Sequence, residues 1–281
     1  MEQHNLLEDF QKYLKKKNLS QNSIVAYSGS VRLYYSLYSE LTPENLKQYK
    51  KALLSRYKPA TVNQRIYAIN HYAHFLAENN ELDGCPPDEF HLPSVKMQQR
   101  SFLDTIISNR DYESLKDHLK ADENWFWYFI VRFLAATGAR VSELVQIKVE
   151  HLNLGYLDLY SKGGKIRRIY FPDQLCEEAL EWCRRKEIKS GFLFLTKSGH
   201  PITTRGIHFQ LKHFARRYGI NPDTVYPHSF RHRFAKNFLA RFNDISLLAD
   251  LMGHDSIETT RIYLTRSSEE QQNFLDEMIT W

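Results

Sequence analysis

The order of apolar and polar residues predicts helices through the first 84 residues. After Pro59, apolar residues recur at steps of three and four, which is typical of a helix with one buried face; they are Val62, Ile66, Ile69, Tyr72, Phe75 and Leu76. Ser20 and the pair Thr42-Pro43 are typical of helix starts, because a hydroxyl caps free backbone N–H groups and proline is tolerated in the first turn. Helices are therefore predicted over residues 5–17, 21–38, 43–56 and 60–79.

The periodicity breaks at the proline-rich stretch 83–93, which favours an extended path. We predict a helical domain over 1–84, a linker over 85–104 and a second domain over 105–281. In the second domain, Ser108 is expected to cap a helix, and an apolar helix over 125–136 is expected to end at Gly138. Strand patterns over 156–160 and 166–170 flank Gly163-Gly164 and predict a hairpin with a two-residue turn. Helical patterns return near 203, so the predicted fold class is mainly α with a small antiparallel β element.

Composition narrows the class of protein only moderately. A chain of 281 residues with 42% hydrophobic residues has room for two folded domains. It has no apolar run near the roughly 18 residues that a membrane span needs, and its start lacks a secretory leader, so we expect a cytoplasmic protein. Cys85, Cys176 and Cys183 show no paired spacing and are expected to be buried thiols. The net charge of +5 permits a polyanionic partner without establishing one.

Six residues follow one another in an order that suits attack on a phosphodiester. They are Arg140, Lys162, His228, Arg231, His254 and Tyr263. Two arginines can bind the non-bridging oxygens of one phosphate, a lysine and histidines can transfer protons, and a tyrosine can attack phosphorus. Lys162 is the candidate for proton donation, because cationic neighbours make a lysine more acidic. Together these residues indicate an enzyme that transfers DNA strands.

Each of these residues is a weak signal by itself. Glu143 follows Arg140 at the spacing of a shared helix face and can orient the guanidinium, although such pairs are common on solvated surfaces. His228 and His232 have the spacing of a metal-binding pair, but no third ligand follows at a usual interval, so we expect no metal. Tyr263 is one of 17 tyrosines, most of which serve packing.

The fourth predicted helix leaves two interpretations open. Asn63 lies off its apolar stripe, and Thr61 and Arg65 lie at the edge of that stripe. They form either a solvated helix surface or the face of a helix that enters a major groove of DNA.

The motifs around these residues resemble those of the tyrosine recombinase, or phage integrase, family. The matching segments are Thr-Gly-Ala-Arg-Val-Ser-Glu-Leu at 137–144, Lys-Gly-Gly-Lys-Ile-Arg at 162–167, His-Ser-Phe-Arg-His at 228–232, Leu-Met-Gly-His at 251–254 and Thr-Thr-Arg-Ile-Tyr at 259–263. The segment from Asn22 to Tyr27 resembles part of the family's helical core-binding domain. Ala139 and Met252 stand where leucine is commoner, and neither carries a reacting group. No arm-binding domain is expected before residue 1.

The resemblance implies a fold and a set of roles. It implies a helical core-binding domain followed by an α+β catalytic domain in which Tyr263 forms a 3′-phosphotyrosyl link. Arg140, Arg231 and His254 would hold the phosphate, His228 would assist proton removal from Tyr263, and Lys162 would protonate the leaving 5′-oxygen. No cofactor is expected, because one phosphoester is exchanged for another. The expected DNA contacts are Ser23, Tyr27, Thr61, Asn63, Arg65, Lys165, Arg167, Thr204 and Arg205.

The expected partner is double-stranded DNA with paired half-sites, bound by a dimer on each site and a tetramer in synapsis. Phe274, Met278 and Trp281 form an apolar stripe in a tail too short to be a stable helix alone, so the stripe docks either on its own domain or, as the resemblance favours, on a neighbour. A type IB topoisomerase and a DNA-binding module without strand exchange remain alternatives. The biological role, as a resolvase, an inversion enzyme or a mobile-element integrase, is left open.

Overall fold

The computed structural model describes residues 2–79, 81–82, 87–96, 106–160, 166–254 and 256–264, together with 272, 275, 276 and 278. Contacts between residues divide the chain into two compact units, Met1–Gln99 and Arg100–Trp281. The described residues are mostly helical, with a single small antiparallel sheet, so the predicted fold class is confirmed. No helix among them is both long enough and apolar enough to span a membrane.

The first unit is built from helices that surround one apolar core. They are α1 (Glu2–Lys16), α2 (Gln21–Tyr35), α3 (Pro43–Arg56) and α4 (Pro59–Glu78). Ser20 and Thr42 cap α2 and α3 as predicted, each accepting a hydrogen bond from a backbone N–H three residues later. The stripe of α4 is buried as predicted and packs against Phe10, Tyr34 and Tyr49.

Part of the predicted linker is packed onto this first unit. Pro87–Phe90 forms a 3-10 turn, and Phe90 and Leu92 are buried in the core. Two asparagines of α4 bind the extended residues that follow: Asn70 binds the backbone N–H and C=O of Leu92, and Asn63 binds those of Val95. The described residues between 87 and 96 are therefore an integral part of the first unit and do not form a free linker.

The second unit packs helices and a hairpin around a larger core. Its helices are α5 (Asn109–Ala121), α6 (Trp125–Thr137), α7 (Val141–Leu144), α8 (Val149–Leu154), α9 (Asp173–Arg185), α10 (Thr204–Arg217), α11 (Pro227–Phe242), α12 (Ile245–Met252) and α13 (Ile257–Arg261). The 3-10 turn Ile262–Leu264 follows α13 and carries Tyr263. The apolar α6 contributes many residues to this core and contacts α11, α5 and α9. The cysteines Cys176 and Cys183 of α9 are free and buried, as predicted; Cys85 lies outside the described residues.

The predicted hairpin is present as β1 (Tyr156–Tyr160) and β2 (Ile166–Tyr170), paired antiparallel with Tyr156 opposite Tyr170. The turn predicted at Gly163-Gly164 lies outside the described residues.

Candidate active site

Arg231 lies at the centre of a polar cluster in the second unit. It points from α11 into the protein, and only 3% of its surface is exposed. Its guanidinium donates to the backbone oxygens of Gly138 and Met252, each at 2.5 Å. Burial, together with the positive charges of Arg140 and Arg167, lowers the pKa of Arg231 to about 10. Arg231 therefore stays charged at neutral pH and ties the end of α6 to the end of α12.

The two carbonyl acceptors are available because of how α6 and α12 end. Both helices are capped by a glycine in the left-handed conformation, Gly138 with φ 61° and Gly253 with φ 59°. The last carbonyls of a helix have no partner within the helix, so they can accept hydrogen bonds from other groups. The ends of α6 and α12 thus supply Arg231 with two fixed acceptors, the backbone oxygens of Gly138 and Met252.

Glu143 holds two further arginines. Its carboxylate accepts from the backbone N–H of Arg140 at 2.6 Å, from the Arg140 guanidinium at 2.8 Å and from the Arg167 guanidinium. Glu143 is only 7% exposed, so its negative charge acts in a medium of low polarity. Arg140 also donates to the oxygen of Gly253 at 3.2 Å. The contact between Arg140 and Glu143 is the one that their spacing predicts.

Arg167 occupies a different place from the one we predicted. We predicted a DNA contact at Arg167 on the hairpin; its side chain is 12% exposed and lies against Glu143 and the oxygen of Leu251. The backbone at Gly253 approaches it so closely that a Cβ there would clash with the Arg167 side chain. The reason for the difference is tertiary, because a buried carboxylate within reach binds the guanidinium more strongly than solvent does.

His254 has both ring nitrogens engaged. Nε2 lies 3.1 Å from Arg231 Nη2, and Nδ1 lies 2.7 Å from the hydroxyl of the buried Thr260. A guanidinium can only donate, so Nε2 is the acceptor and the ring hydrogen is on Nδ1. Burial and the charges of Arg231 and Arg140 lower the pKa of His254 to about 4. The imidazole is therefore neutral at pH 7.

Tyr263 is buried beside these groups, with 6% of its surface exposed. Its ring lies nearly parallel to that of His254, with centroids 6.5 Å apart. Its hydroxyl oxygen is 3.0 Å from Nδ1 of His232. Burial raises the pKa of Tyr263, and the charges of Arg231 and Arg140 oppose that rise.

His232 is the residue that our sequence reasoning missed, because we considered it only as a metal partner for His228. Both lie on α11, with ring centroids 6.3 Å apart, and His232 is the one that contacts the Tyr263 hydroxyl. Burial and the neighbouring His228 and Arg231 lower the pKa of His232 to about 4. The His228 residue is exposed as a whole, but partial desolvation of its imidazole, and then the charge of Arg231, lower its pKa. The four-residue spacing of the two histidines was the available signal, since it places them on one helix face.

Two predicted site residues, Lys162 and Lys165, lie outside the described residues. The described His, Cys, Asp and Glu side chains form no group of three or more that could hold a metal ion.

The remaining predicted DNA contacts lie in both units. Thr204 is half-buried and Arg205 is exposed in the first turn of α10, next to the cap Thr203. In the first unit, Ser23 contacts the cap Ser20, and the ring of Tyr27 packs at a tilt against that of His71, with centroids 5.4 Å apart.

The two interpretations of α4 separate residue by residue. Thr61 is half-buried, and the guanidinium of Arg65 lies over the ring of Tyr57 at 4.5 Å. Asn63 is 9% exposed and its amide is used by the backbone of Val95, so it belongs neither to a solvated surface nor to a face open to DNA. The prediction of a DNA contact at Asn63 does not fit this position, because hydrogen bonding to the backbone of Val95 takes both of its polar atoms.

The cluster is suited to bind an anion. Arg140, Arg167 and Arg231 bring three positive charges to one carboxylate, and the histidines around them are neutral. A cavity of about 850 Å³ adjoins the cluster, and Arg140, Arg167 and His254 are among the residues that line it. The excess positive charge faces a buried phenol, which is an arrangement for attack on a phosphate ester.

Comparison with known proteins gives one consistent family. Residues 105–270 match the model of the phage integrase family. The sequence is 29% identical to the tyrosine recombinase XerA of Pyrococcus furiosus, in an alignment that covers 98% of this chain and 96% of that protein. The fold is similar to that of the XerH site-specific recombinase bound to palindromic difH substrate, with a TM-score of 0.69 and 20% identity over 98% of this chain and 84% of that one. It is also similar to the Tn1549 transposon integrase in complex with transposon right end DNA, with a TM-score of 0.69 and 14% identity over 97% and 99%.

Proposed function

The chain belongs to the phage integrase family and is a tyrosine-type site-specific DNA recombinase, and we propose that Tyr263 is its nucleophile. The observation that carries this proposal is the cluster in which Arg231 donates to His254 and the ring of Tyr263 lies parallel to that of His254. Such a cluster places a phenol beside charges that can stabilise a phosphorane.

The proposed reaction is a transesterification. The oxygen of Tyr263 attacks phosphorus, the bond to the 5′-oxygen breaks, and a 3′-phosphotyrosyl link forms. Arg140 and Arg231 neutralise the non-bridging oxygens, and His254 supports them through its contact with Arg231. Lys162 protonates the leaving 5′-oxygen, a role that we carry over from the family resemblance. One phosphoester replaces another, so the link retains the energy needed for rejoining.

We propose that Glu143 fixes the direction of Arg140. Its carboxylate binds both the backbone and the guanidinium of that residue, and it also compensates the charge of Arg167. Because Arg140 is held at its backbone and at its guanidinium, its side chain loses little conformational freedom when a phosphate binds, which favours the bound state.

DNA is the partner, and we propose a dimer on each site and a tetramer in synapsis, acting in the cytoplasm on nucleoid DNA. Arg205 on α10 and the half-buried Thr204 support a DNA-contacting role for the start of that helix. We keep Ser23, Tyr27, Thr61, Arg65 and Lys165 as proposed DNA contacts as well.

The test is the substitution Tyr263→Phe on a nicked suicide duplex, resolved on a denaturing gel. The duplex carries the sequence recovered by selecting random duplex DNA for binding to the full chain. We expect the wild type to form a covalent adduct and the variant to form none, while both bind the duplex with similar affinity. A normal adduct yield in the variant would show that Tyr263 is not the nucleophile. Relaxation without strand exchange would favour a topoisomerase, and binding without any adduct would favour a DNA-binding module.

A further inference from the structure

His232 contacts the reacting atom of the proposed nucleophile. Its Nδ1 lies 3.0 Å from the Tyr263 oxygen, and the two ring centroids are 5.5 Å apart. A general base must lie within about 2.6–3.2 Å of the group whose proton it takes. The distance between His232 and Tyr263 lies within this range.

We propose that His232 is the general base that accepts the phenolic proton of Tyr263 during cleavage. The O–H bond of Tyr263 breaks as its oxygen forms the bond to phosphorus, and the proton passes to Nδ1. The electron pair of the broken phosphorus–oxygen bond leaves with the 5′-oxygen. In rejoining, the same proton returns from Nδ1 to the tyrosine oxygen. This inference rests on the proposed function, because it assigns a partner to its nucleophile.

The two other histidines of the cluster are less suited to this step. His254 uses Nε2 for Arg231 and Nδ1 for Thr260, so neither nitrogen is available to the phenol. His228 lies one helical turn before His232 and is exposed, with the ring of His232 at 6.3 Å. The position of His228 suits contact with the phosphate or with His232 better than contact with the buried hydroxyl.

The charge state of His232 suits the role. Burial first, and then His228 and Arg231, keep its imidazole neutral at pH 7, which leaves a nitrogen free to accept. Acceptance at Nδ1 requires the tautomer with hydrogen on Nε2. A bound phosphate brings negative charge beside Arg231 and so favours the imidazolium that proton transfer creates. The site therefore becomes more basic when its substrate arrives.

The decisive variant is His232→Asn. The asparagine side chain can place a polar atom where Nδ1 stands, so it can keep a hydrogen bond to Tyr263 but cannot carry a proton away. The assay is single-turnover adduct formation on the nicked suicide duplex selected by binding. At pH 7 we expect cleavage to slow by about 10²–10⁴-fold, the usual range for general acid–base catalysis. His118→Asn is the matched control, because His118 contacts Ser114 and Tyr218 and should leave the rate unchanged.

The pH profile separates a base from a residue that only positions the ring. The groups that face His232 are His228 and Arg231 on its own helix and Tyr263 from the 3-10 turn. The wild type and the His232→Asn variant share all three. Without the base, cleavage depends on ionised Tyr263, so the defect of His232→Asn should shrink as the pH rises from 6 to 9.5. A defect that stays constant over this range would show positioning and overturn the proposal.

A second variant guards against failure to fold. If His232→Asn melts early or loses DNA binding, His232→Ala with added imidazole takes its place, and recovery of at least tenfold in rate is expected. Lack of recovery in a folded, DNA-binding protein overturns the proposal, as does a His232→Asn rate within about threefold of the wild type. Absence of an adduct with the wild type overturns the proposed function and this inference together. A wild-type adduct with a normal His232→Asn rate removes only the inference.

Discussion

At the scale of single residues, one carboxylate organises the positive charge of the site. Glu143 accepts hydrogen bonds from Arg140 and Arg167, while its own side chain is almost fully buried. Removing one member of a buried ion pair is costly, because the remaining charge loses both water and its partner. The position of Arg140 therefore depends on Glu143 as much as on its own helix.

We expect Glu143→Gln to lower the free energy of unfolding of the second unit by about 3 kcal/mol, since two guanidiniums lose their counter-charge. Adduct formation should fall at the same time, because Arg140 loses its orientation. Glu258→Gln is the control: it removes an exposed pair with Arg261 and should cost less than about 0.5 kcal/mol. Denaturant unfolding measures the free energy of unfolding of both variants. Equal stability of the two variants would show that Glu143 contributes little.

At the scale of elements, the end of α6 prepares the acceptor for Arg231. Gly138 has a positive φ, and a Cβ at that position would meet the ring of Phe234 at 2.5 Å. The helix thus needs glycine here for two reasons, one of the backbone and one of packing.

We expect Gly138→Ala to cost about 1 kcal/mol for the left-handed backbone and a further 1–3 kcal/mol for displacing Phe234. Gly155→Ala is a matched control, because Gly155 also caps a helix at φ 75° but has nothing within 4 Å of its Cβ position. Only the backbone cost of about 1 kcal/mol is expected there. Thermal unfolding of both variants gives the comparison, and equal losses would contradict the packing argument.

The pair of asparagines on α4 acts at the same scale. Asn63 and Asn70 stand two helical turns apart, and each binds both polar groups of one residue in the segment His91–Lys96. Helix α4 thereby provides the hydrogen bonds that a neighbouring strand would otherwise supply.

We expect Asn63→Ala to destabilise the first unit by about 1–2 kcal/mol, because the backbone groups of Val95 lose their partners. Gln64→Ala, an exposed neighbour, should change stability by less than about 0.5 kcal/mol. Hydrogen exchange of the α4 amides measures the stability of the first unit directly. If Asn63→Ala weakens DNA binding while stability is unchanged, the groove interpretation of Asn63 is correct after all.

At the scale of the whole molecule, the proposed dimer on each site and tetramer in synapsis need a surface through which protomers meet. The predicted docking stripe lies mostly outside the described residues; of its members, Met278 is described and exposed. Docking of the tail on a neighbour therefore stays a prediction from the sequence.

We expect a chain that ends at residue 271 to bind one half-site with normal affinity but to fill the second half-site without cooperativity. The reason is that a short apolar helix gains stability only by docking, and in this prediction it docks on the next protomer. Gel-shift titration on a full site measures the cooperativity. Normal cooperativity with a lower melting temperature would show that the tail packs on its own domain.

Local signals in the sequence determined a large part of this protein. The apolar stripe of α4, the caps Ser20 and Thr42 and the stop at Gly138 predicted helices that the structure confirms. The motifs around Arg140, Arg231 and Tyr263 identified the family for the same reason: residue type and spacing along one chain are local information. The hairpin strands followed from alternation patterns, which are also local.

Only the tertiary structure decided which polar groups meet. Asn63, Arg167 and His232 were each assigned another environment from their neighbours in sequence, and each is bound by a group 24 to 32 positions away. A polar side chain forms hydrogen bonds with whatever partner the fold brings near. Once the group is buried it must keep that partner, because a buried polar group without a hydrogen bond is costly. Periodicity indicates which face of a helix is buried, but it does not indicate which residues of other elements pack against that face.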